Sequence, residues 1–237
     1  MLWIHDLKKR FGDNKVLNGF NMHLNEGENL VIMGKSGSGK SVMIKCLMGL
    51  MQPDSGEIEI MGEHVLDLEQ TELDQLRKKI GFLFQGSALY DSMTVKENLE
   101  FPLRKQQIPQ KEKDILVHQA LENVGLLNAI ELVPSELSGG MKRRIALARA
   151  IILHPKIIIY DEPTTGLDPI TAKEIIQLMR DIQKIHGSSA LIITHDVDCS
   201  RVIADRMILL IDGINYAEGS FEELSTSTDQ KIQAFFK

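Results

Sequence analysis

The chain has 237 residues and a net charge of −6, with 27 Lys and Arg against 33 Asp and Glu. This length allows one large domain with a substantial buried core, and the acidic balance argues against a protein whose main task is to bind nucleic-acid phosphates. The two cysteines, Cys46 and Cys199, lack metal-ligand spacing, so the sequence indicates neither a zinc site nor a disulfide framework.

Apolar runs in the sequence are short. None approaches the roughly 18 residues that a membrane-spanning helix needs, and the N-terminal stretch MLWIHDLKKRFG lacks the apolar centre of a signal peptide. We therefore expect a cytosolic chain with no membrane span of its own, which would serve any membrane through a partner. No nucleic-acid partner is expected.

Short apolar runs alternate with longer helical patterns along the chain. We predict strands at 29–33 (NLVIM), 80–84 (IGFLF), 156–160 (KIIIY), 190–194 (ALIIT) and 207–211 (MILLI). Several of these runs are apolar on both faces, and the alternation is typical of an α/β fold with a mostly parallel buried sheet. Residues 56–62 and 207–220 predict antiparallel hairpins, the second turning at Asp212-Gly213.

Residues 87–154 differ from the rest of the chain. They contain helical patterns such as QKEKDILVHQALENVGLL and KRRIALARAIIL, and no convincing strand. We predict a helical subdomain at 87–154. It would be inserted into an α/β core with a β subdomain, formed by 1–86 and 155–237, so that 1–237 is a single domain.

The stretch GKSGSGKS fits the G-x-x-x-x-G-K-[ST] phosphate-binding loop in full, and it lies between a predicted strand and a helical run. Its glycines would let backbone N–H groups curl around phosphates, with the helix N-terminus adding its dipole. Lys40 would reach the β- and γ-phosphates and Ser41 would hold Mg²⁺. The predicted nucleotide-binding residues here are Gly34, Lys35, Ser36, Gly37, Ser38, Gly39, Lys40, Ser41 and Val42.

A second motif, IIIYDEP, is an apolar strand that ends in two acids. Asp161 suits a water-mediated Mg²⁺ ligand, and Glu162 suits a base for an attacking water. Taken alone, the motif could be an acidic turn without a special role, and the phosphate loop beside it favours the catalytic reading. The two motifs together indicate a nucleoside triphosphatase, a description that also fits kinases and switch GTPases.

The stretch LSGGM at 137–141, followed by a basic helical pattern, resembles the signature motif of ABC ATPases. Four further residues are similar in position to the family's nucleotide-contacting residues: Gln85 (Q-loop, also linked to Mg²⁺), Asp168 in GLD (D-loop), His195 (switch histidine) and Phe11 (adenine stacking). The resemblance implies a P-loop NTPase core with an antiparallel β subdomain and an inserted α-helical subdomain. Phe11 could otherwise be a core or hairpin aromatic, Gln85 an ordinary loop residue and His195 a packing residue.

The resemblance also implies a mechanism. Two subunits would form a head-to-tail homodimer with ATP at the interface, where Ser138, Gly139 and Gly140 contact the γ-phosphate bound by the other subunit. Glycines there would let the backbone approach phosphate without a Cβ in the way. The catalytic residues implied are Glu162, His195 and Lys40. Met141 replaces the family's usual glutamine.

Three arginines follow the signature motif within the same basic helical pattern. Arg143, Arg144 and Arg149 are expected on a solvated or subunit-facing surface.

Three segments, 84–104, 134–151 and 162–171, are similar to the MlaF or Mkl-type ATPases of MCE lipid transport systems. By that resemblance the partners are an MlaE-like integral-membrane permease, an MCE-domain protein and, in some systems, a STAS-domain regulator. The location implied is the cytoplasmic face of the bacterial inner membrane, as a peripheral protein.

Two alternatives stay open at this point. One is another ABC system, for amino-acid import, lipoprotein release or cell division, which would differ in its membrane and soluble partners. The other is a soluble ABC ATPase in DNA repair or translation. Such proteins usually carry tandem cassettes, zinc insertions or coiled coils, which this sequence lacks.

Overall fold

The computed structural model describes residues 1–104 and 106–236. They form two compact units, Met1–Arg77 with Ser189–Lys237, and Lys78–Ser188. The helical subdomain at 87–154 and the core of 1–86 and 155–237 stay predictions.

The strands are β1 (Leu2–Phe11), β2 (Asn14–Leu24), β3 (Asn29–Met33), β4 (Ser55–Ile60), β5 (Glu63–His64), β6 (Ile80–Leu83), β7 (Ile157–Asp161), β8 (Ser189–Thr194), β9 (Arg206–Ile211) and β10 (Ile214–Gly219). The helices are α1 (Lys40–Leu47), α2 (Gln70–Lys78), α3 (Val95–Glu100), α4 (Gln110–Asn123), α5 (Gly139–Ile151), α6 (Pro169–His186), α7 (Val197–Ile203), α8 (Phe221–Ser225) and α9 (Gln230–Phe236). Short 3-10 helices cover Phe101–Leu103, Leu127–Ala129 and Pro134–Glu136.

The first unit is organised around β3, which pairs in parallel with both β8 and β9. Every residue of β3 and β8 is buried, which explains why their sequences are not alternating. Strand β10 pairs antiparallel with β9, and the two residues of the turn, Asp212 and Gly213, have φ values of 53° and 77°. These findings confirm the strands predicted at 29–33, 190–194 and 207–211, and the hairpin turn.

A second, antiparallel sheet in the same unit has the strand order β2-β1-β4-β5. The β4–β5 pair confirms the hairpin predicted at 56–62. The long β1–β2 pair was not predicted, because its register shifts at Leu7 and Lys9 interrupt the alternation of polar and apolar residues. Gly56, with φ 104°, packs so closely on β1 that a Cβ would lie 2.6 Å from Leu7 Cα.

In the second unit, β6 and β7 pair in parallel, which confirms the strands predicted at 80–84 and 156–160 to within one residue at each end. Helices α3, α4 and α5 bury a shared apolar cluster that includes Leu99, Leu121 and Ile145. The described part of 87–154 contains these helices and no strand, as predicted. Parallel strands with helices between them confirm the α/β class.

None of the helices within residues 1–104 and 106–236 is long and apolar enough to cross a membrane.

Candidate functional site: a phosphate loop and a signature helix

The predicted phosphate loop lies between the end of β3 and the start of α1, as the motif requires. Gly37 and Gly39 have φ values of 79° and 105°, which L side chains rarely adopt. A Cβ on Gly39 would lie 2.9 Å from the Val16 carbonyl oxygen, and one on Gly34 would lie 2.5 Å from Ser38 Oγ. The loop conformation therefore depends on glycine at these three positions.

Lys40 opens α1 and is only 8% exposed. Its ammonium group donates to the carbonyl oxygen of Gly34 and, at 3.1 Å, to that of Lys35, so the side chain folds back over its own loop. Ser38 Oγ is buried and has no hydrogen-bond partner in the described structure. These features fit the phosphates of a nucleotide: a lysine folded over the loop, a hydroxyl without a partner, and backbone N–H groups in a loop whose conformation needs glycine.

The next two residues of α1 differ in exposure. Ser41 is exposed in the first turn and Val42 is half-buried. Mg²⁺ prefers oxygen ligands, so the Ser41 hydroxyl fits the predicted role of holding that ion.

His195 directly follows β8, and its position at a strand end is as predicted. Met33 and Thr194 are register partners in the parallel β3–β8 pair. Because the phosphate loop and His195 each follow one of these two residues, both begin at the same edge of the sheet. The next residue, Asp196, caps α7 by accepting a hydrogen bond from Cys199 N at 3.0 Å. The tertiary structure thus places His195 beside the loop, although His195 lies 160 positions after Lys35 in the sequence.

Phe11 ends β1 and its side chain is 49% exposed, with Lys9 Nζ 5.7 Å from the ring centroid. An exposed ring at this position is compatible with adenine stacking, which stays a prediction. A cavity of about 580 Å³ lies beside the loop, lined by Lys35–Ser38, by 14–16 and 210–213, and by residues of α9. Its size is in the range of small-molecule sites. The contribution of α9 was not predicted.

The second unit holds the two acids. Asp161 is the last residue of β7 and is half-buried, and Glu162 is 8% exposed. Glu162 has φ 50°, a conformation that costs a non-glycine residue about 1–2 kcal/mol. The Thr165 hydroxyl donates to the Glu162 carboxylate at 3.2 Å, and Thr165 N donates to the Glu162 carbonyl oxygen at 3.3 Å. The motif predicted the acids but not the positive φ of Glu162.

Gln85 follows β6 in a loop whose backbone is bound by an arginine from α5. Arg143 is 3% exposed, and its guanidinium donates to the carbonyl oxygens of Phe84 at 2.7 Å, Gln85 at 2.6 Å and Thr165 at 3.3 Å. Burial lowers the pKa of Arg143 from its ordinary value, and the charge of Asp161 opposes that shift. The prediction of a solvated or subunit-facing surface is therefore wrong for Arg143.

The other two predicted surface arginines also have specific contacts in this unit. Arg149 is half-buried and donates to the Ser87 carbonyl oxygen at 3.0 Å, so it is not simply solvated either. Arg144 is also half-buried and pairs with Glu174 at 2.7 Å. The spacing of Arg143, Arg144 and Arg149 in the sequence does not reveal which of them is buried and which pairs with a carboxylate, since all three lie on one helix.

Ser138 is the N-cap of α5, where its hydroxyl oxygen accepts a hydrogen bond from Met141 N at 3.2 Å. Gly139 and Gly140 form the first positions of the helix. A Cβ on Gly139 would meet no atom within 4 Å, whereas one on Gly140 would lie 2.7 Å from Thr171 Cγ2. Packing therefore explains glycine at Gly140, and nothing within the described chain explains it at Gly139.

Asp168 is the N-cap of α6. Its carboxylate accepts hydrogen bonds from the Thr171 hydroxyl and from the backbone N–H of Thr171 and Ile170, both at 3.1 Å. These bonds, the hydroxyl first, lower the pKa of the Asp168 carboxyl. The structure thus shows a capping role for Asp168, and the nucleotide contact stays a prediction.

Comparison with known proteins agrees with this geometry. The model of the ABC transporter family matches residues 17–165. The methionine import ATP-binding protein MetN of Rhizobium etli is 42% identical over 214 residues, which are 90% of this chain and 59% of that protein. The intermembrane phospholipid transport system ATP-binding protein MlaF of Haemophilus influenzae is 37% identical over 238 residues, covering 100% of this chain and 90% of that protein. The chain thus spans less than two thirds of the methionine import relative.

Among solved structures, the chain is similar to the dimeric post-hydrolysis state of the ATP-binding cassette MJ0796 bound to ADP and Pi. The TM-score is 0.84 at 33% identity, covering 93% of this chain and 99% of that one. The predicted P-loop NTPase fold is thereby confirmed. With its phosphate loop, its acidic strand end and the signature motif at the start of α5, the chain belongs to the ABC transporter family.

Proposed function

We propose that this chain is the ATP-hydrolysing subunit of a transporter that moves phospholipid or another hydrophobic compound across or between bacterial envelope membranes. The observation that supports this choice is the extent of similarity: the match with MlaF runs over 100% of this chain, and the match with MetN of Rhizobium etli over 90%. Amino-acid import is the second candidate, because the identity to MetN is higher, at 42% against 37%.

The residues described above would divide the chemistry among them. Lys40 balances negative charge on the β- and γ-phosphates, and His195, at the same sheet edge, hydrogen-bonds the γ-phosphate. Glu162 orients the attacking water and accepts its proton. Ser41, Asp161 and Gln85 are each proposed as residues that would hold Mg²⁺, and the ion would supply charge neutralisation on the phosphate oxygens.

A second subunit would complete each site. The N-terminus of α5 carries the capping Ser138 and the open Gly139, so its backbone N–H groups and helix dipole can approach a phosphate held by another copy. Binding of ATP would close this head-to-tail dimer and hydrolysis would open it. The structure of MJ0796 is also dimeric.

Exposed aromatic side chains after β6 suit the docking of a permease. Tyr90 and Phe101 are 42% and 38% exposed, with ring centroids 4.6 Å apart, and Arg104 lies 5.3 Å from the Phe101 centroid. Exposed aromatics with an arginine are typical of protein interfaces. The partner would be an MlaE-like permease, joined by an MCE-domain protein and, in some systems, a STAS-domain regulator, and the chain would lie at the cytoplasmic face of the inner membrane.

The test is a mild-detergent pulldown of the chain from its native membranes, with proteins and lipids identified by mass spectrometry. A Tyr90→Ala, Phe101→Ala variant serves as the matched control, because it removes the proposed docking surface and leaves the phosphate loop intact. We expect the wild-type chain to recover an MlaE-like permease, an MCE protein and phospholipid, and the variant to lose them.

Two other results would change the assignment. Recovery of a different permease with a soluble solute-binding protein would replace lipid transport by import of a small solute. Recovery of no membrane protein by the wild-type chain would contradict a transport function.

A further inference from the structure

We propose that Arg143 is a positioning residue for ATP hydrolysis: it holds the loop that contains Gln85 and the loop that contains Glu162 in one arrangement relative to the signature helix α5. The inference rests on the proposed roles of Gln85 and Glu162. It adds a residue that the motifs of the sequence do not single out.

The contacts of Arg143 support this role directly. One guanidinium nitrogen, Nη1, donates to the Phe84 carbonyl oxygen at 2.7 Å, and Nη2 donates to those of Gln85 at 2.6 Å and Thr165 at 3.3 Å. Hydrogen bonds from a charged donor are about twice as strong as neutral ones. The planar guanidinium group also sets the directions of its N–H donors. One side chain therefore fixes backbone positions in two separate loops.

The contact with Thr165 extends this arrangement to Glu162. The Thr165 hydroxyl donates to the Glu162 carboxylate at 3.2 Å, and Thr165 N donates to the Glu162 carbonyl oxygen at 3.3 Å. Glu162 has φ 50°, and a residue with such a backbone keeps it only when its surroundings impose it. Two side chains, Arg143 and Thr165, thus connect the Gln85 backbone with the proposed catalytic carboxylate.

The free-energy cost of burying the Arg143 guanidinium argues that this side chain does more than fill space in the core. Arg143 is 3% exposed, and its Nε is buried without a hydrogen-bond partner in the described structure. Burying a charge is expensive unless its hydrogen bonds repay the lost hydration. An apolar residue would fill the volume without that cost, but it could not bind three carbonyl groups at once.

The position of Arg143 on α5 couples the two loops to the signature motif at the start of that helix. Ser138 caps this helix, and Arg143 lies five residues further along it. Because a helix moves as a rigid element, a shift of its N-terminus on contact with ATP would shift both loops together. A movement of the loop that contains Gln85 would reach Glu162 through the same side chain.

The experiment compares Arg143→Lys and Arg143→Gln with the matched control Arg144→Gln in the full chain. Arg144 is the adjacent residue, and it bonds Glu174 and Val124 instead of the two loops. The steady-state kcat and KM for ATP are measured, together with Tm and with amide hydrogen exchange at 84–88 and 162–165.

We expect both Arg143 substitutions to lower kcat by at least about tenfold, the size of effect that misplaced catalytic groups produce. KM should stay within about twofold, because the phosphate loop holds nucleotide through its own backbone. Amide hydrogen exchange should become faster in both loops of both variants. Lysine has one compact ammonium group, which cannot replace the several N–H donors that the planar guanidinium group directs at two loops. Arg144→Gln should leave kcat and exchange unchanged.

Three results would overturn the inference. They are an unchanged kcat in the folded Arg143 variants, full activity in Arg143→Lys, and a fall in kcat that matches only the loss of folded protein. A Glu162→Gln variant separates this inference from the proposed site. If Glu162→Gln hydrolyses ATP normally, the site assignment fails, and if it is inactive while the Arg143 variants are not, only the role of Arg143 fails.

Discussion

The two glycines at the start of α5 allow a sharp separation of packing from function. In Gly139→Ala the added Cβ meets no atom within 4 Å and the backbone is helical, so the substitution introduces no clash. Replacing a helical glycine by alanine under these conditions stabilises a protein by about 0.5–1 kcal/mol. For a chain of this size that corresponds to a rise in Tm of roughly 1–4 °C.

In Gly140→Ala the Cβ would lie 2.7 Å from Thr171 Cγ2, and Thr171 is held by the bond from its hydroxyl to Asp168. Neither side can move freely, because Thr171 lies in the first turn of α6, so we expect a destabilisation of about 1–3 kcal/mol. The pair thus predicts opposite changes in stability from the same chemical substitution at neighbouring positions.

The decisive assay combines thermal unfolding with ATP hydrolysis under conditions that favour the dimer. We expect Gly139→Ala to be more stable than the wild type and yet slower in hydrolysis, because a methyl group would stand where the phosphate of a second subunit is proposed to approach. If Gly139→Ala is stabilised and fully active, the reasoning about phosphate approach is refuted. If it is destabilised, the helical geometry of the first turn is refuted instead.

Three further predictions concern other parts of the site and the fold. Lys40→Ala should weaken ATP binding at least about tenfold in equilibrium titration, and unchanged affinity would remove Lys40 from the site. Glu162→Gln should bind ATP normally but lose about 10²-fold or more in hydrolysis, with Glu174→Gln as the inert control, and wild-type turnover would exclude Glu162 as the base. The pKa of His186 is lowered from its ordinary value of 6.5 by burial and by His154. The free energy of unfolding should therefore be highest above that ordinary pKa and fall as the pH drops through the lowered one. In His186→Gln, the free energy of unfolding measured by urea titration should change less between about pH 7.5 and about pH 5.5 than it does in the wild type.

Much of the fold could be predicted because its signals are local. The strands β3, β7, β8 and β9 are apolar on both faces, and burial of both faces in a parallel sheet accounts for such runs. The phosphate loop and the turn at Asp212-Gly213 depend on glycine conformations that few other residues adopt. By contrast, the β1–β2 pair escaped prediction, because its register shifts break the period of two.

The sequence motifs predicted where the candidate site residues lie on strands and helices, and their roles stay predictions. The contacts among these residues were not predicted. The motifs place Gln85, Glu162 and Ser138 correctly at the ends of strands or helices, since each motif includes its own turn chemistry. Arg143 was assigned to the surface because charged residues on a helix usually face solvent. Its partners are backbone carbonyls, which any sequence could provide, so no pattern of residue types reveals them.

The sequence by itself determined the α/β class, the phosphate loop, the acidic strand end and the signature motif, because each is encoded within a few consecutive residues. Only the tertiary structure decided which distant groups meet: His195 at the edge of the phosphate loop, Gly140 against Thr171, and Arg143 on the loops of Gln85 and Glu162. The physical reason is that hydrogen bonding and packing depend on distance in space, and residues far apart in the chain become neighbours only once the sheet registers and helix packing are set.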